Sequence, residues 1–404
     1  MSWRGNIAFI IGLMVMIWLG FCSFVLSSHA EGSSTNQSKY PVMVPDTGQN
    51  SCYNTRREIP CPEPGAPFYG QDANFSINVP EYELINQEGV EIIIDHTTGL
   101  SWQRRPEEVQ RNWSEAIDYT DGLKLSSYTD WRLPEKQELQ TILSYGSYPS
   151  PLIDPPAEKD WESTHQKICA WTLTTPNFPS LNAKVICLED NQGKLSDKYK
   201  KNYVYAVRGP AITYGKYQDN GNGTITDNMT GLMWQAIEAR PKKWEQSLAY
   251  CQQLELGGFK DWRLPTIKEL STLVNEGPAT PSIDTTFFPA ARPAAYWSST
   301  TFTGHPGFAW YVSFDNGRRY NGGYKARRYF VRAVRGGLIA SSPAGPSLIP
   351  RPTPEEKAPK TVPEIVPEIA PEIAPEKTQK PVLPDIDNMD FLEPYPLDPD
   401  AQYD

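Results

Sequence analysis

Histidine is scarce in this 404-residue chain. There are 4, and past the first thirty residues only His96, His165 and His305 remain. They stand far apart and share no motif. A histidine-based zinc site therefore lacks its spacing, and a thiol–histidine nucleophile lacks its parts. No Gly-x-Ser-x-Gly elbow and no phosphate loop occurs. These absences predict a protein that is not an enzyme and carries neither cofactor nor metal. Long apolar runs are equally rare. Beyond the N-terminus, no stretch is apolar enough to cross a bilayer.

That one exception has a function of its own. Arg4 provides a positive start, Ile7 to Leu26 is continuously apolar, and Ser28-His29-Ala30 supplies small residues for cleavage. Residues 1–30 read as a signal peptide, with an uncleaved N-terminal anchor as the alternative. Membrane contact is expected only through this segment, if it stays uncleaved. Cys22 follows the bulky Phe21, which argues against lipid attachment. The expected location is extracytoplasmic: periplasm, cell surface or secreted. Export makes nucleic acid a poor partner.

Export also permits disulfides. Of the 6 cysteines, Cys52 and Cys61 flank a turn-rich segment and are expected to bridge. Cys169 and Cys187 form a second candidate pair. Cys251 is left over and reads as a small buried residue on an apolar helix face.

The chain repeats itself. Asp95-His96-Thr97-Thr98-Gly99-Leu100-Ser101-Trp102-Gln103 returns as Asp227-Asn228-Met229-Thr230-Gly231-Leu232-Met233-Trp234-Gln235. Asp130-Trp131-Arg132-Leu133-Pro134 returns unchanged as Asp261-Trp262-Arg263-Leu264-Pro265. Glu138 matches Glu269, Ile153-Asp154 matches Ile283-Asp284, and Ala206-Val207-Arg208-Gly209 matches Ala333-Val334-Arg335-Gly336. An offset of about 131 residues is far beyond a solenoid period and predicts tandem modules. With 12 Trp and 21 Tyr, each has material for a core of its own. The reading is a flexible lead over 31–80 with the Cys52/Cys61 segment, a first, degenerate module over 81–210 and a second over 211–338. A proline- and glutamate-rich acidic tail over 339–404 is expected to be disordered. In it Pro363, Pro367, Pro371 and Pro375 recur every fourth residue.

Within each module, apolar spacing predicts two helices. Trp244, Leu248, Cys251 and Leu254 mark the first in the second copy, and Ile267, Leu270, Leu273 and Val274 the next. The proline of the repeated pentapeptide suits the first position of that second helix. Alternating Trp310, Val312 and Phe314, followed by Asn316-Gly317, predict a strand and a tight hairpin. Helices first and antiparallel strands after give an α+β module.

Three features compete as sites. The repeated pentapeptide reads as structural: Trp131 and Trp262 anchor cores, while Arg132 with Glu138 and Arg263 with Glu269 pair across a helix start. Asp219-Asn220-Gly221-Asn222-Gly223-Thr224 resembles a calcium loop but has glycine where oxygen ligands belong, so a glycine-rich hairpin is expected. Arg318, Arg319, Lys325, Arg327 and Arg328, interleaved with Tyr320, Tyr324 and Tyr329, form the best binding candidate. Arginine grips sulfate or carboxylate through paired hydrogen bonds, and tyrosine stacks on sugar faces. An ordinary solvated face, or a dock for the chain's own acidic tail, is the plain alternative.

The segments Asp227–Gln235, Trp244–Cys251, Asp261–Leu270, Tyr296–Thr300, Trp310–Gly317 and Val331–Arg335 together resemble the family once called DUF1566, now named after the C-terminal domain of a Legionella collagen-like adhesin (Lcl). The resemblance covers roughly residues 46–337, and the second copy carries most of it. It implies a C-type-lectin-like shape for both modules and a role in attachment, with sulfated polysaccharide as the ligand type. It also implies a cysteine near the last strand that could pair with the helix cysteine; Ala333 stands there instead. The leading expectation is an adhesion protein that binds an anionic polysaccharide through its second module. The alternative is a structural subunit of an envelope assembly that binds protein partners.

Overall fold

The computed structural model describes residues 41–337, apart from 88, 106–108, 147–167, 177–179 and 189–190. The expected signal peptide, the acidic tail, His165 and Ile153-Asp154 lie outside the described residues.

Each copy opens on a three-stranded meander whose second turn is set by the repeated aspartate. The strands are β3 (Tyr82–Gln87), β4 (Val90–Asp95) and β5 (Leu100–Gln103) in the first copy. In the second they are β10 (Tyr217–Asp219), β11 (Thr224–Asp227) and β12 (Met233–Gln235). The Asp95 carboxylate accepts hydrogen bonds from Thr97 N at 3.0 Å, Thr98 N at 3.2 Å and Thr98 Oγ1 at 2.6 Å. Asp227 accepts from Met229 N at 2.9 Å and Thr230 Oγ1 at 3.0 Å. The chain then reverses at Gly99 and Gly231, with φ of 74° and 71°, a region open to glycine at little cost.

The last strand of each copy returns to this sheet. β9 (Val207–Arg208) pairs with β5, and β18 (Val334–Arg335) pairs with β12. Each copy therefore begins and ends on one antiparallel sheet. Two short helices follow the meander: α1 (Trp113–Asp121) and α2 (Lys136–Thr141), then α3 (Trp244–Gln253) and α4 (Ile267–Ser271). A second sheet completes each copy. The first has β6 (Cys169–Trp171), β7 (Asn182–Cys187) and β8 (Gln192–Asp197). The second has β13 (Ala239–Lys242), β14 (Ala295–Thr301), β15 (Phe308–Ser313), β16 (Arg318–Tyr324) and β17 (Tyr329–Val331), ordered β13-β17-β14-β15-β16.

This overturns the α+β reading of C-type-lectin-like modules with helices first and strands after. Strand accounts for 33% and helix for 12% of the structure, spread over several small sheets. Helical spacing located the helices but overstated their share. Leu273 and Val274, counted as helical, lie past the end of α4, although both are buried. The pentapeptide proline is also displaced. Pro134 and Pro265 precede the N-caps Glu135 and Thr266. Glu138 and Glu269, at the third helical position, accept from the backbone N–H of those caps at 2.8 and 2.9 Å. That capping box fixes the start two residues later than proline alone suggests.

The largest apolar cluster is shared between the copies. It joins Trp102, Leu139, Leu143 and Tyr205 to Trp234, Ile267, Leu270 and Phe314. Smaller clusters stay within one copy: Trp171 with Ala116 and Leu133, Trp131 with Ile92 and Ala206, and Trp244, Trp262 and Trp297 with Cys251 and Ala333. Burying each tryptophan stabilises by roughly 1.5–3 kcal/mol or more. Polar links reinforce the joint. Lys268 Nζ donates to Thr141 O at 2.8 Å, and the Glu276 carboxylate takes both Lys136 and Lys184.

The segment 42–78 is built into the second copy. Gln49 exchanges two hydrogen bonds with the Thr301 backbone, each 2.9 Å. Strands β1 (Cys52–Tyr53) and β2 (Glu58–Ile59) form a small hairpin closed by the Cys52–Cys61 disulfide. Cys169 and Cys187 are directly opposed in β6 and β7 and bridge as well.

Candidate binding surface

The repeated residues are structural in both copies. Arg263 donates to both Glu269 carboxylate oxygens at 2.6 and 2.5 Å and to Gly336 O at 2.9 Å. Arg132 does the same with Glu138 at 2.7 and 2.6 Å and with Gly209 O at 3.2 Å. One guanidinium thus ties the pentapeptide, the second helix and the end of the last strand. Asp130 pairs with Arg208 and Asp261 with Arg335, each at 2.7 Å. Both carboxylates and the terminal guanidinium nitrogens are engaged within the fold.

The glycine-rich segment between β10 and β11 is a hairpin. Asp219 accepts from Gly221 N at 2.8 Å, and Asn220 Nδ2 donates to Thr224 Oγ1 at 2.9 Å. Among the described residues no group of three or more His, Cys, Asp or Glu could hold a metal ion. His96 sits beside Glu83 at 3.0 Å, far in sequence from His305 among the phenylalanines Phe302 and Phe308. Cys251 is fully buried, and burial pushes its thiol well above its ordinary value. A thiol held neutral in this way does not serve as a nucleophile.

The basic hairpin splits into two groups. Arg319 is buried at 4% exposure and donates to Tyr145 Oη and to Asn191 O, the latter at 2.9 Å, so it fastens the second copy to the first. Lys325 is also buried. Its ammonium lies 3.9 Å above the Trp244 ring and donates to Thr301 Oγ1 at 2.9 Å and Asn54 O at 3.2 Å. Burial pulls its pKa down to about 7. Alternation along β16 explains the split, because successive side chains face opposite ways. Arg319 and Lys325 therefore leave the candidate site, while Arg318, Arg327 and Arg328 remain exposed.

The exposed arginines flank an aromatic ladder. Strand register sets Tyr320 beside Tyr311, with rings 5.2 Å apart and stacked. Tyr329 lies 4.9 Å from Tyr311 and 4.2 Å from Trp297. The Arg318 guanidinium sits 5.5 Å over Tyr320, and Asn316 Nδ2 donates to Tyr320 Oη at 3.0 Å. Burial pushes the Tyr311 hydroxyl above its usual value, and the Arg327 charge works against that shift. Tyr324, 49% exposed, extends the row beside Phe308. Trp297 and Tyr311 were not among the residues singled out from the sequence. Both are buried, as their strands suggested, and the cross-strand register shows that they back the half-buried Tyr320 and Tyr329 rings from beneath.

No curated protein matches the sequence. A sequence model described as the Lcl C-terminal domain matches residues 91–208 and again residues 223–335, more than half of the chain in all. The two matched spans coincide with the two copies of the sheet-helix-sheet unit. This is an adhesin-like domain family and not a known enzyme family. The chain belongs to the Lcl C-terminal domain family and carries that domain twice in tandem.

Proposed function

We propose that this protein is an extracytoplasmic, non-catalytic adhesion protein whose second copy binds an anionic polysaccharide along β16. The carrying observation is the stacked Tyr311–Tyr320 pair with Arg318 over its outer ring and Arg327 and Arg328 exposed at the next turn. The half-buried Tyr320 ring, held from beneath by Tyr311, and the exposed Tyr324 ring offer faces to sugars, and guanidinium groups match sulfate or carboxylate geometry. The adhesin-like family and two disulfides support action outside the cytoplasm.

Retention of the full chain on immobilised sulfated polysaccharide, measured across a salt series, tests this. Retention is expected to weaken as salt rises, because exposed charges are screened. The double substitution Arg327→Ala/Arg328→Ala should lose most of it, and Tyr320→Ala should weaken retention at every salt concentration. Retention indifferent to all three changes would sink the proposal.

A further inference from the structure

Duplication lets one copy show what the other is missing. In the second copy the lead segment covers a face built from Trp244, Ser299, Gly307 and Lys325. Asn54 O accepts from Lys325 Nζ at 3.2 Å, and the Phe68 ring lies 6.5 Å from Trp244. A Cβ added at Gly307 would stand 3.1 Å from Thr55 O, so the lead passes close there.

Hydrogen bonds identify the matching face in the first copy. Trp244 Nε1 donates to Ser298 O, as Trp113 Nε1 does to Thr172 O. Ser299 N donates to Pro265 O, as Leu173 N does to Pro134 O. The backbone N–H of Lys325 donates to Gly307 O, as that of Lys198 does to Leu181 O. Lys198 Nζ lies 3.9 Å above the Trp113 ring, the distance found for Lys325 over Trp244. The counterparts of Trp244, Ser299, Gly307 and Lys325 are therefore Trp113, Leu173, Leu181 and Lys198.

The exposure of the two faces differs sharply. Trp244 and Ser299 are at most 1% exposed, whereas Leu173 is 38% and Leu181 71% exposed. Trp113 and Lys198 are only half-buried. Among the described residues no segment lies over this face, and none offers an acceptor to the Lys198 ammonium. Ser and Gly in the covered copy have become Leu and Leu in the open one. Leu181 would collide with a chain following the path of the lead, so this face does not take a second lead of the same sequence. Two exposed leucines beside a tryptophan are the makings of an interface core.

We infer that the Trp113–Leu173–Leu181–Lys198 face of the first copy docks an extended segment of a partner protein. That segment places a leucine or aromatic side chain against the two leucines and a carbonyl or carboxylate oxygen on Lys198. The lead performs the same task on the second copy within one chain, which favours a polypeptide over a sugar. The inference is independent of polysaccharide binding, which concerns the other copy.

A library of short displayed peptides, selected on the immobilised full chain, is the test. Enriched peptides should pair an aromatic residue or leucine with an acidic one. Synthesised singly, they should bind Leu181→Asp and Lys198→Glu variants about tenfold or more weakly than wild type. Leu181 is exposed and Lys198 half-buried, and an unchanged circular dichroism melt confirms the fold. Arg327→Ala/Arg328→Ala should bind the peptides as wild type does. Absence of enrichment overturns the inference, as do peptides that bind all variants equally. So does self-association of the chain that is lost in Leu181→Asp, because the occupant would then be a second copy.

Discussion

Arg263 and Arg132 hold the same place in the two copies, yet their side chains are 1% and 26% exposed. Trp244 and Trp113 differ in the same direction. The backbone plan is common to both, so the difference lies in what covers it. The lead, from Val42 to Ile77, seals the second copy, and Phe75 lies 5.8 Å from the Arg263 guanidinium. One unit thus has two electrostatic environments, a dry one and a half-wet one.

The largest expected effect follows from the buried pair. Glu269→Ala leaves the Arg263 guanidinium without its carboxylate in the dry copy, which costs about 3–5 kcal/mol. Glu138→Ala strips the same partner from Arg132, where water can reach the charge, and should cost roughly 1–3 kcal/mol. Urea denaturation of both variants measures the gap. Equal losses would mean that the covering of the second copy does not govern its electrostatics.

Next comes the lead itself. Replacing Cys52 and Cys61 with serine opens a loop of 9 residues' separation and should cost roughly 2–3 kcal/mol. Its diagnostic effect is local. Trp244 should become accessible to acrylamide quenching, so that the second copy comes to resemble the first. The Cys169→Ser/Cys187→Ser variant should lose stability without that change. If Trp244 stays shielded after the first substitution, the disulfide is not what holds the lead in place.

Acidity probes the same contact more gently. Burial, helped by the nearby Asp46 carboxylate, raises Asp72 from 3.8 to about 7. The folded protein then holds a proton that the unfolded chain releases. Stability should fall as pH rises from about 4 to about 7, by at most about 1.4 kcal/mol per pH unit. Lys325 works in the opposite sense: its folded value of about 7 lies below 10.5. The unfolded chain binds the extra proton between these values, so stability should rise again above pH 7. Melting temperatures across this range should therefore pass through a minimum near neutrality. Asp72→Asn should lessen the acid-side slope and Lys325→Met the alkaline-side slope, where Lys136 and Lys268, each lowered to about 8, still contribute.

The repeat and both disulfide pairs were legible because each is a local or pairwise signal. Trp131, Trp262 and their arginine–glutamate partners were legible for the same reason. The fold class was not. Short apolar stretches such as Ala295–Thr301 carry little periodicity, so two clear helical patterns outweighed many brief strands. Nor could spacing show that Trp102 and Trp234 enter one shared cluster, since that depends on how the copies meet. The binding candidate was half legible. A run of cations marks a charged hairpin, but only strand alternation and the neighbouring copy separate the buried Arg319 from the exposed Arg318.

That separation leads to the smallest expected change in stability and the cleanest contrast. Arg318 and Arg319 are chain neighbours with identical chemistry and opposite surroundings. Arg318→Ala removes an exposed side chain above Tyr320 and should move the unfolding free energy by no more than about 0.5 kcal/mol, while lowering retention on sulfated polysaccharide. Arg319→Ala strips a donor from Tyr145 and from the Asn191 carbonyl across the joint between the copies. It should cost roughly 2–3 kcal/mol, as befits charge-assisted hydrogen bonds in a buried setting. Retention by the fraction that remains folded should stay intact. If Arg319→Ala instead abolished retention with no loss of stability, the face of β16 turned toward the first copy would be the binding surface, and the Arg318–Tyr320 face would be ordinary solvated sheet.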